Sequence, residues 1–282
     1  MERREEVGAV SGNDTVFAGS IPALYDRYLG PLLFEPFARH TAGRVADLKP
    51  ARVLETAAGT GIVTTALAER LPASVTLVAT DLNQAMIDHA STKPSLKRVE
   101  IKQADALKLP FADGSFDVVV CQFGVMFFPD KIAGYREARR VLVPGGHLVL
   151  SVWGSLPDNP LTRVVVDAVG ARYPQNPPRF LARTPHGHSD AGVIRRDRAA
   201  AGFGLVTVET VTLPSRAPSA EDAATGLCQG TPMRGEIEAL DPSGLAAATE
   251  VAAAALRSAY GTGAIEAPMQ ALVIVARKSD AS

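Results

Sequence analysis

The stretch Val53-Leu54-Glu55-Thr56-Ala57-Ala58-Gly59-Thr60-Gly61 constrains this chain more than any other. A short apolar run ends in an acid, passes through small residues and opens at once into the amphipathic segment 62–71. A buried strand, a tight turn and a helix are written this way. Glycine reaches turn dihedrals that other residues resist and carries no side chain to hold a ligand off. The free N–H groups of the helix start favour an anionic group. Such a turn binds a nucleotide-like cofactor, or it is simply a tight connection. A dinucleotide fingerprint wants the pattern G-x-G-x-x-G, and the corresponding positions are Ala57, Gly59 and Ile62. The third position fails and the first is weakened, which disfavours a nicotinamide cofactor.

The strand-to-helix alternation continues downstream. Strands are expected at 52–55, 75–80, 99–103, 116–121, 146–153, 205–213 and 271–277. Helices are expected at 41–48, 62–70, 83–90, 161–173, 219–227 and 245–260, with two more capped by Asp130 and Asp190 and stopped by Pro144-Gly145-Gly146 and Gly202. Segment 21–37 repeats its apolar residues at helical spacing but is interrupted at Gly30-Pro31, so it reads as two short helices across the mouth of the domain. Alternating strands and helices imply an α/β fold, a doubly wound, mostly parallel sheet of seven strands. Residues 1–15 read as a flexible tail and 16–282 as a single domain, with its core at about 41–155 and a helical lid from 16–40, 156–190 and 215–265.

Composition excludes several function classes. A net charge of -1 gives no electrostatic case for nucleic acid or an anionic membrane, so a small, weakly charged acceptor is the expected partner. Two cysteines are too few for a disulfide framework, a structural zinc cluster or a three-cysteine iron–sulfur site. No apolar run approaches the roughly 20 residues of a membrane span, and the first residues are too polar for a signal peptide, so no membrane insertion and a cytoplasmic location are expected. No signal for an oligomeric state is present.

In doubly wound sheets the ligand crevice lies beyond the carboxyl ends of the strands. Three acids, Glu55, Asp81 and Asp105, stand at three successive strand ends. A lone acid there is most often a helix cap, but three in register with a glycine turn point to a ligand. The motif acid-x-small-x-Gly-x-Gly (Glu55, Ala57, Gly59, Gly61) resembles the first motif of the class I S-adenosylmethionine-dependent methyltransferases, with Ala57 where that family usually has glycine. The segments Val78-Ala79-Thr80-Asp81-Leu82-Asn83, Ala104-Asp105-Ala106-Leu107-Lys108-Leu109-Pro110-Phe111 and Val141-Leu142-Val143-Pro144-Gly145-Gly146 are similar to its later motifs, in the small-molecule branch that includes quinone-precursor methylation.

The resemblance implies a Rossmann-like sheet with an antiparallel last strand. It also implies S-adenosylmethionine as cofactor, released as S-adenosylhomocysteine. Asp81 would accept from the ribose hydroxyls and Asp105 from the adenine amine, while Leu82, Met86 and Ala106 would wall the ring. Glu55 would meet the cationic end of methionine or orient the turn, beside Ala57, Gly59 and Gly61. Gln122 would contribute mainly backbone, and Tyr25 could face the ligand.

After the fourth strand, Cys121-Gln122-Phe123-Gly124-Val125-Met126-Phe127-Phe128 offers an apolar and aromatic wall. It lacks the Asn/Asp-Pro-Pro-aromatic sequence of base methylation and the paired acids of arginine methylation. The expected activity is methyl transfer to an O, N or C atom of a small apolar or aromatic molecule, by in-line displacement. A general base, if used, is sought in Pro185-His186-Gly187-His188, with His188 ahead of His186; no third ligand makes the pair a metal site. Two rivals remain: a nicotinamide-dependent oxidoreductase, disfavoured by Ile62, and a non-catalytic S-adenosylmethionine-binding protein.

Overall fold

The computed structural model describes residues 12–15, 17 and 19–279. Its seven strands are β1 (Arg52–Thr56), β2 (Thr76–Asp81), β3 (Glu100–Gln103), β4 (Phe116–Gln122), β5 (Leu142–Trp153), β6 (Val206–Ala217) and β7 (Ile265–Arg277). They form one sheet in the order β3-β2-β1-β4-β5-β7-β6. The pairs among β1 to β5 are parallel, and β7 runs antiparallel to both of its neighbours. The expected fold class is the one observed. The sheet order reverses between β1 and β4, which opens the ligand crevice at the carboxyl end of β1. The inner strands are nearly continuous apolar runs because helices cover both faces.

On one face α2 (Glu35–Asp47) and α3 (Ile62–Arg70) bury Val45, Val63 and Leu67 against Val53, Val118 and Val149. On the other, α5 (Lys131–Val141) and α8 (Ala191–Ala200) pack together, their starts capped by Asp130 and Asp190 as expected. Asn83 caps α4 (Gln84–Ser91) through Ala85 N–H. A cap of α6 (Pro160–Arg172), α9 (Ala220–Gln229) and α11 (Leu245–Tyr260) stands beyond the sheet, with α9 against the N-terminal helical segment. The short α7 (Phe180–Arg183) and α10 (Met233–Leu240) complete it; neither was expected from periodicity.

Four expectations are corrected. The break at Gly30-Pro31 is absent: α1 (Ile21–Leu24), a π-helical stretch Tyr25–Phe34 and α2 follow one another without interruption. Glu35 N–H donates to Gly30 C=O, a five-residue step. The wider winding accommodates Pro31, whose ring would meet the carbonyl of the preceding turn in an α-helix and which has no N–H to give. β5 starts at Leu142 rather than Gly146, so Pro144-Gly145 lies inside it, because the register between β4 and β5 slips there and strand pairing resumes at Val118 with His147. β6 and β7 run on to Ala217 and from Ile265, a ribbon in which Pro214 faces Pro268; prolines in a strand pattern read as its end. Finally, the flexible tail expected over 1–15 falls partly outside the described residues, but Gly12–Thr15 form a 3-10 turn with Asp14 buried. Arg183 and Thr184 donate to the Asp14 carboxylate at 2.5 and 2.7 Å, which offsets the entropy of ordering the turn.

Candidate cofactor and acceptor site

The carboxyl ends of the strands open onto a cavity of about 660 Å³. At its β1 end Glu55 is buried, with Oε2 accepting from Thr64 Oγ1 at 2.7 Å. Burial pushes the Glu55 carboxyl up to about 8, the Asp81 charge adds to this and the Thr64 bond opposes it. The turn follows in left-handed backbone: Ala57 at φ 53°, Gly59 at φ 57° and Gly61 at φ 80°. Ala57 holds a conformation that normally asks for glycine, and a Cβ on Gly124 would stand 2.4 Å from its methyl. The extra methyl at 57 is thus matched by a missing one at 124.

Asp81 closes the turn from β2. Its Oδ2 accepts from Gly59 N–H and its Oδ1 from Asn83 N–H, both at 2.8 Å. Burial raises its pKa, against the pull of these backbone bonds. Leu82 N–H draws on the same carboxylate, and its remaining acceptor capacity is open to a ligand hydroxyl. Leu82 is 56% exposed, one of the few large apolar side chains left uncovered, and it lines the cavity with Met86, Asp105 and Ala106. Asp105 Oδ1 accepts from Leu107 N–H at 2.8 Å, which sets its loop. Tyr25, from the π-helical stretch, stacks on Phe34 at 4.6 Å and lines the same space; burial raises its hydroxyl's pKa. The π-helical winding brings Tyr25, Leu29, Leu33 and Phe34 to the cavity.

Gln122 lines the cavity at the end of β4, but its side chain is engaged elsewhere: Oε1 accepts from Thr41 and Nε2 donates to Phe34 C=O, at 2.8 and 3.2 Å. Only its backbone is available to a ligand. Gly61 does not line the cavity; it starts α3, and a Cβ there would come within 2.7 Å of Leu96. The two histidines separate. His186 lines the cavity, its Nδ1 2.9 Å from Gly154 C=O, and burial lowers its pKa to about 4. His188 is buried away from the cavity, with Nε2 unpartnered; burial and then the charges of Lys131 and Arg198 bring it likewise to about 4. The order expected for the pair is therefore reversed in position.

Part of the far wall is the aromatic segment expected after β4, with Phe123, Phe127 and Phe128 lining the cavity; the rest was not foreseen. Phe123 and Trp153 stack face to face at 3.7 Å, and Phe180, Leu181, Thr162 and Leu227 complete the wall. Trp153 ends a strand, the same signal that found the acids; Phe180 and Leu181 carry none. Also unforeseen is Asp26, which accepts from Thr60 Oγ1 at 2.7 Å and pairs with Lys93, tying the N-terminal helical segment to the turn. Burial would raise the Asp26 pKa, but the Lys93 and Thr60 bonds bring it below the usual carboxylate range.

A Rossmann-like sheet with an antiparallel seventh strand, acids at the ends of β1 and β2, and a cavity across the switch point define a domain of the methyltransferase class. A family profile described as a methyltransferase domain matches residues 54–150. The demethylmenaquinone methyltransferase of Deinococcus radiodurans is 40% identical over 139 residues, 48% of this chain and 57% of that protein. The ubiquinone/menaquinone biosynthesis C-methyltransferase UbiE of Ectopseudomonas mendocina is 33% identical over 57% of this chain and 68% of its own length. The chain thus spans between about half and two thirds of these relatives. It belongs to the class I S-adenosylmethionine-dependent methyltransferases. A Haemonchus contortus phosphoethanolamine N-methyltransferase, solved with phosphomonomethylethanolamine and S-adenosylhomocysteine, shares the fold at a TM-score of 0.59 and 16% identity, over 95% of this chain and 60% of that one.

Proposed function

We propose that the chain transfers a methyl group from S-adenosylmethionine to an oxygen, nitrogen or carbon of a small, mainly apolar molecule. The observation that carries this reading is the polarity of the cavity. Its carboxylates, Glu55, Asp81 and Asp105, come from β1, β2 and the end of β3, while Phe123 and Trp153 come from β4 and β5 on the opposite side of the switch point. A cofactor with hydroxyls and a cation suits the first side, and an apolar acceptor suits the second.

The residues fit the cofactor. Asp81 keeps acceptor capacity for the ribose hydroxyls, and the uncovered Leu82 with Met86 and Ala106 offers a slot for the adenine ring. Asp105 takes the ring's amine. Glu55 takes the ammonium group, with Ala57 and Gly59 leaving room for the amino-acid end, Gly61 holding the helix start, Tyr25 closing over it and Gln122 contributing backbone. When bound, S-adenosylmethionine supplies an electrophilic methyl on a sulfonium. The protein's part is alignment: holding two reactants in line is worth effective molarities of about 10⁵ to 10⁸ M, against about 10² to 10⁴ for a general base.

Asp81→Ala tests the reading. Two hydroxyls lose a charged acceptor, so cofactor affinity should fall by about 2 kcal/mol or more by calorimetry. Unchanged affinity would remove the ribose assignment.

A further inference from the structure

We propose that the acceptor is a neutral ring compound carrying a hydroxyl, that this hydroxyl is held by Nε2 of His186, and that the methyl is placed on its oxygen. The proposal rests on the methyltransferase reading above and adds the acceptor's class and the residue that selects it.

Charge comes first. Among the described residues lining the cavity, the formally charged ones are Glu55, Asp81 and Asp105, all on the cofactor side. The acceptor side is built from Leu29, Phe34, Phe123, Trp153, Phe180 and Leu181. A carboxylate or phosphate there would be buried without a cationic side chain of the protein, and an ammonium without an anionic one, each at a large desolvation cost. An aromatic lining suits a neutral ring.

Hydrogen bonding then selects among neutral molecules. The polar groups at this end are Asn159, Thr162, Thr231 and His186. Asn159 is committed: its Oδ1 accepts from Gln270 N–H and its Nδ2 donates to Ser155 C=O. Thr231 donates to Leu227 C=O and accepts from Met233 N–H. His186 is different. Its Nδ1 lies 2.9 Å from Gly154 C=O, and a carbonyl can only accept, so Nδ1 carries the proton and Nε2 carries a lone pair. With Nδ1 engaged and the ring lining the cavity, that lone pair is open to a donor on the ligand. Burial that keeps the free imidazole neutral preserves this acceptor character at ordinary pH.

The hydroxyl so held is, in this proposal, the nucleophile. Its proton passes to Nε2 as the oxygen–methyl bond forms and the sulfur–methyl bond breaks, the electron pair of the latter returning to sulfur. The cavity loses one positive charge at sulfur and gains one at His186. The burial that disfavours an isolated imidazolium therefore does not oppose the step in full. Thr162 on α6 provides a second hydroxyl at the same end.

The test uses the full chain, S-adenosylhomocysteine, and three probes of one shape: 2-naphthol, 2-methoxynaphthalene and 2-naphthoate. Calorimetry on the S-adenosylhomocysteine complex should show 2-naphthol binding about tenfold more tightly than the ether, with the carboxylate weakest. In His186→Asn the amide nitrogen can still donate to Gly154 C=O, while Nε2 is gone. That variant should bind both neutral probes equally, keep its affinity for S-adenosylhomocysteine, and transfer labelled methyl to 2-naphthol about 100-fold more slowly. Equal binding of naphthol and ether to the wild type, or an Asn variant that keeps the preference or the transfer rate, overturns the proposal. Failure of S-adenosylhomocysteine to bind the wild type would instead overturn the methyltransferase reading beneath it.

Discussion

Glu55 shows how one residue's surroundings set its chemistry. Its carboxyl is held at about 8 in the ligand-free fold, far above the value of about 4.5 it has when exposed. A raised acid binds its proton more tightly in the folded state, so its contribution is fully present below the unfolded value and is lost as pH rises through about 8. The ligand-free chain should therefore lose about 2 kcal/mol between pH 6 and pH 9 relative to Glu55→Gln. Urea melts of both proteins at the two pH values check this; a constant difference would mean that Glu55 is ionised throughout. The two turn glycines make a second contrast. Both have positive φ, but a Cβ on Gly59 meets nothing within 4 Å and one on Gly61 meets Leu96 and Ala90. Gly59→Ala should cost about 1 kcal/mol in left-handed strain alone, and Gly61→Ala about 2 to 4 once overpacking is added. Equal losses in denaturant melts would contradict the packing role of Gly61. The glycines and acids were legible in the sequence because strand ends and left-handed turns restrict residue type. The separation of His186 from His188 was not, since two residues of loop suffice to send side chains to different sides.

The elements around the cavity hold each other through a few cross-links of long sequence separation. Asp26 ties the π-helical stretch to the turn through Thr60, and Ser215 on β6 donates to Leu32 C=O in the same stretch. Opposite them Asp14 is gripped by Arg183 and Thr184, while Glu236 accepts from Arg183 and from the N–H groups of Arg179 and Phe180 at the start of α7. Phe17 meets Tyr25 and Phe127 edge-on, and Asn83 donates to Thr15 C=O, so Gly12–Thr15 and Phe17 connect the cap to the cofactor side. Asp14→Ala should loosen this bridge. Hydrogen exchange in α7 is expected to speed up about 10-fold or more, matching the loss of about 1.5 to 3 kcal/mol of charged hydrogen bonding. Unchanged exchange there would show that α7 is held by Glu236 and packing alone. None of this was readable beforehand. A bond between residues 14 and 183 leaves no periodic trace, and the Gly-Pro pair at 30–31 reads as a break because local rules assume α winding.

At the scale of the whole molecule, the seven-stranded sheet was legible almost throughout, because strand–helix alternation with short connections leaves few topologies. The core around β1, β2 and β4 followed from it, and with it the side of the sheet where a ligand sits. The cap was legible only as helices. Their packing, including α7 and α10, depends on non-local burial that periodicity does not encode. In the proposed function a cofactor lies on the acid-lined side of the cavity and gives its methyl to a small apolar molecule on the aromatic side. The most direct measurement incubates the full chain with methyl-labelled S-adenosylmethionine and a metabolite extract, then partitions the products between water and an organic solvent. Label is expected in the organic phase, and none with the Asp81→Ala chain at limiting cofactor. Firm cofactor binding with no label leaving the cofactor would contradict it.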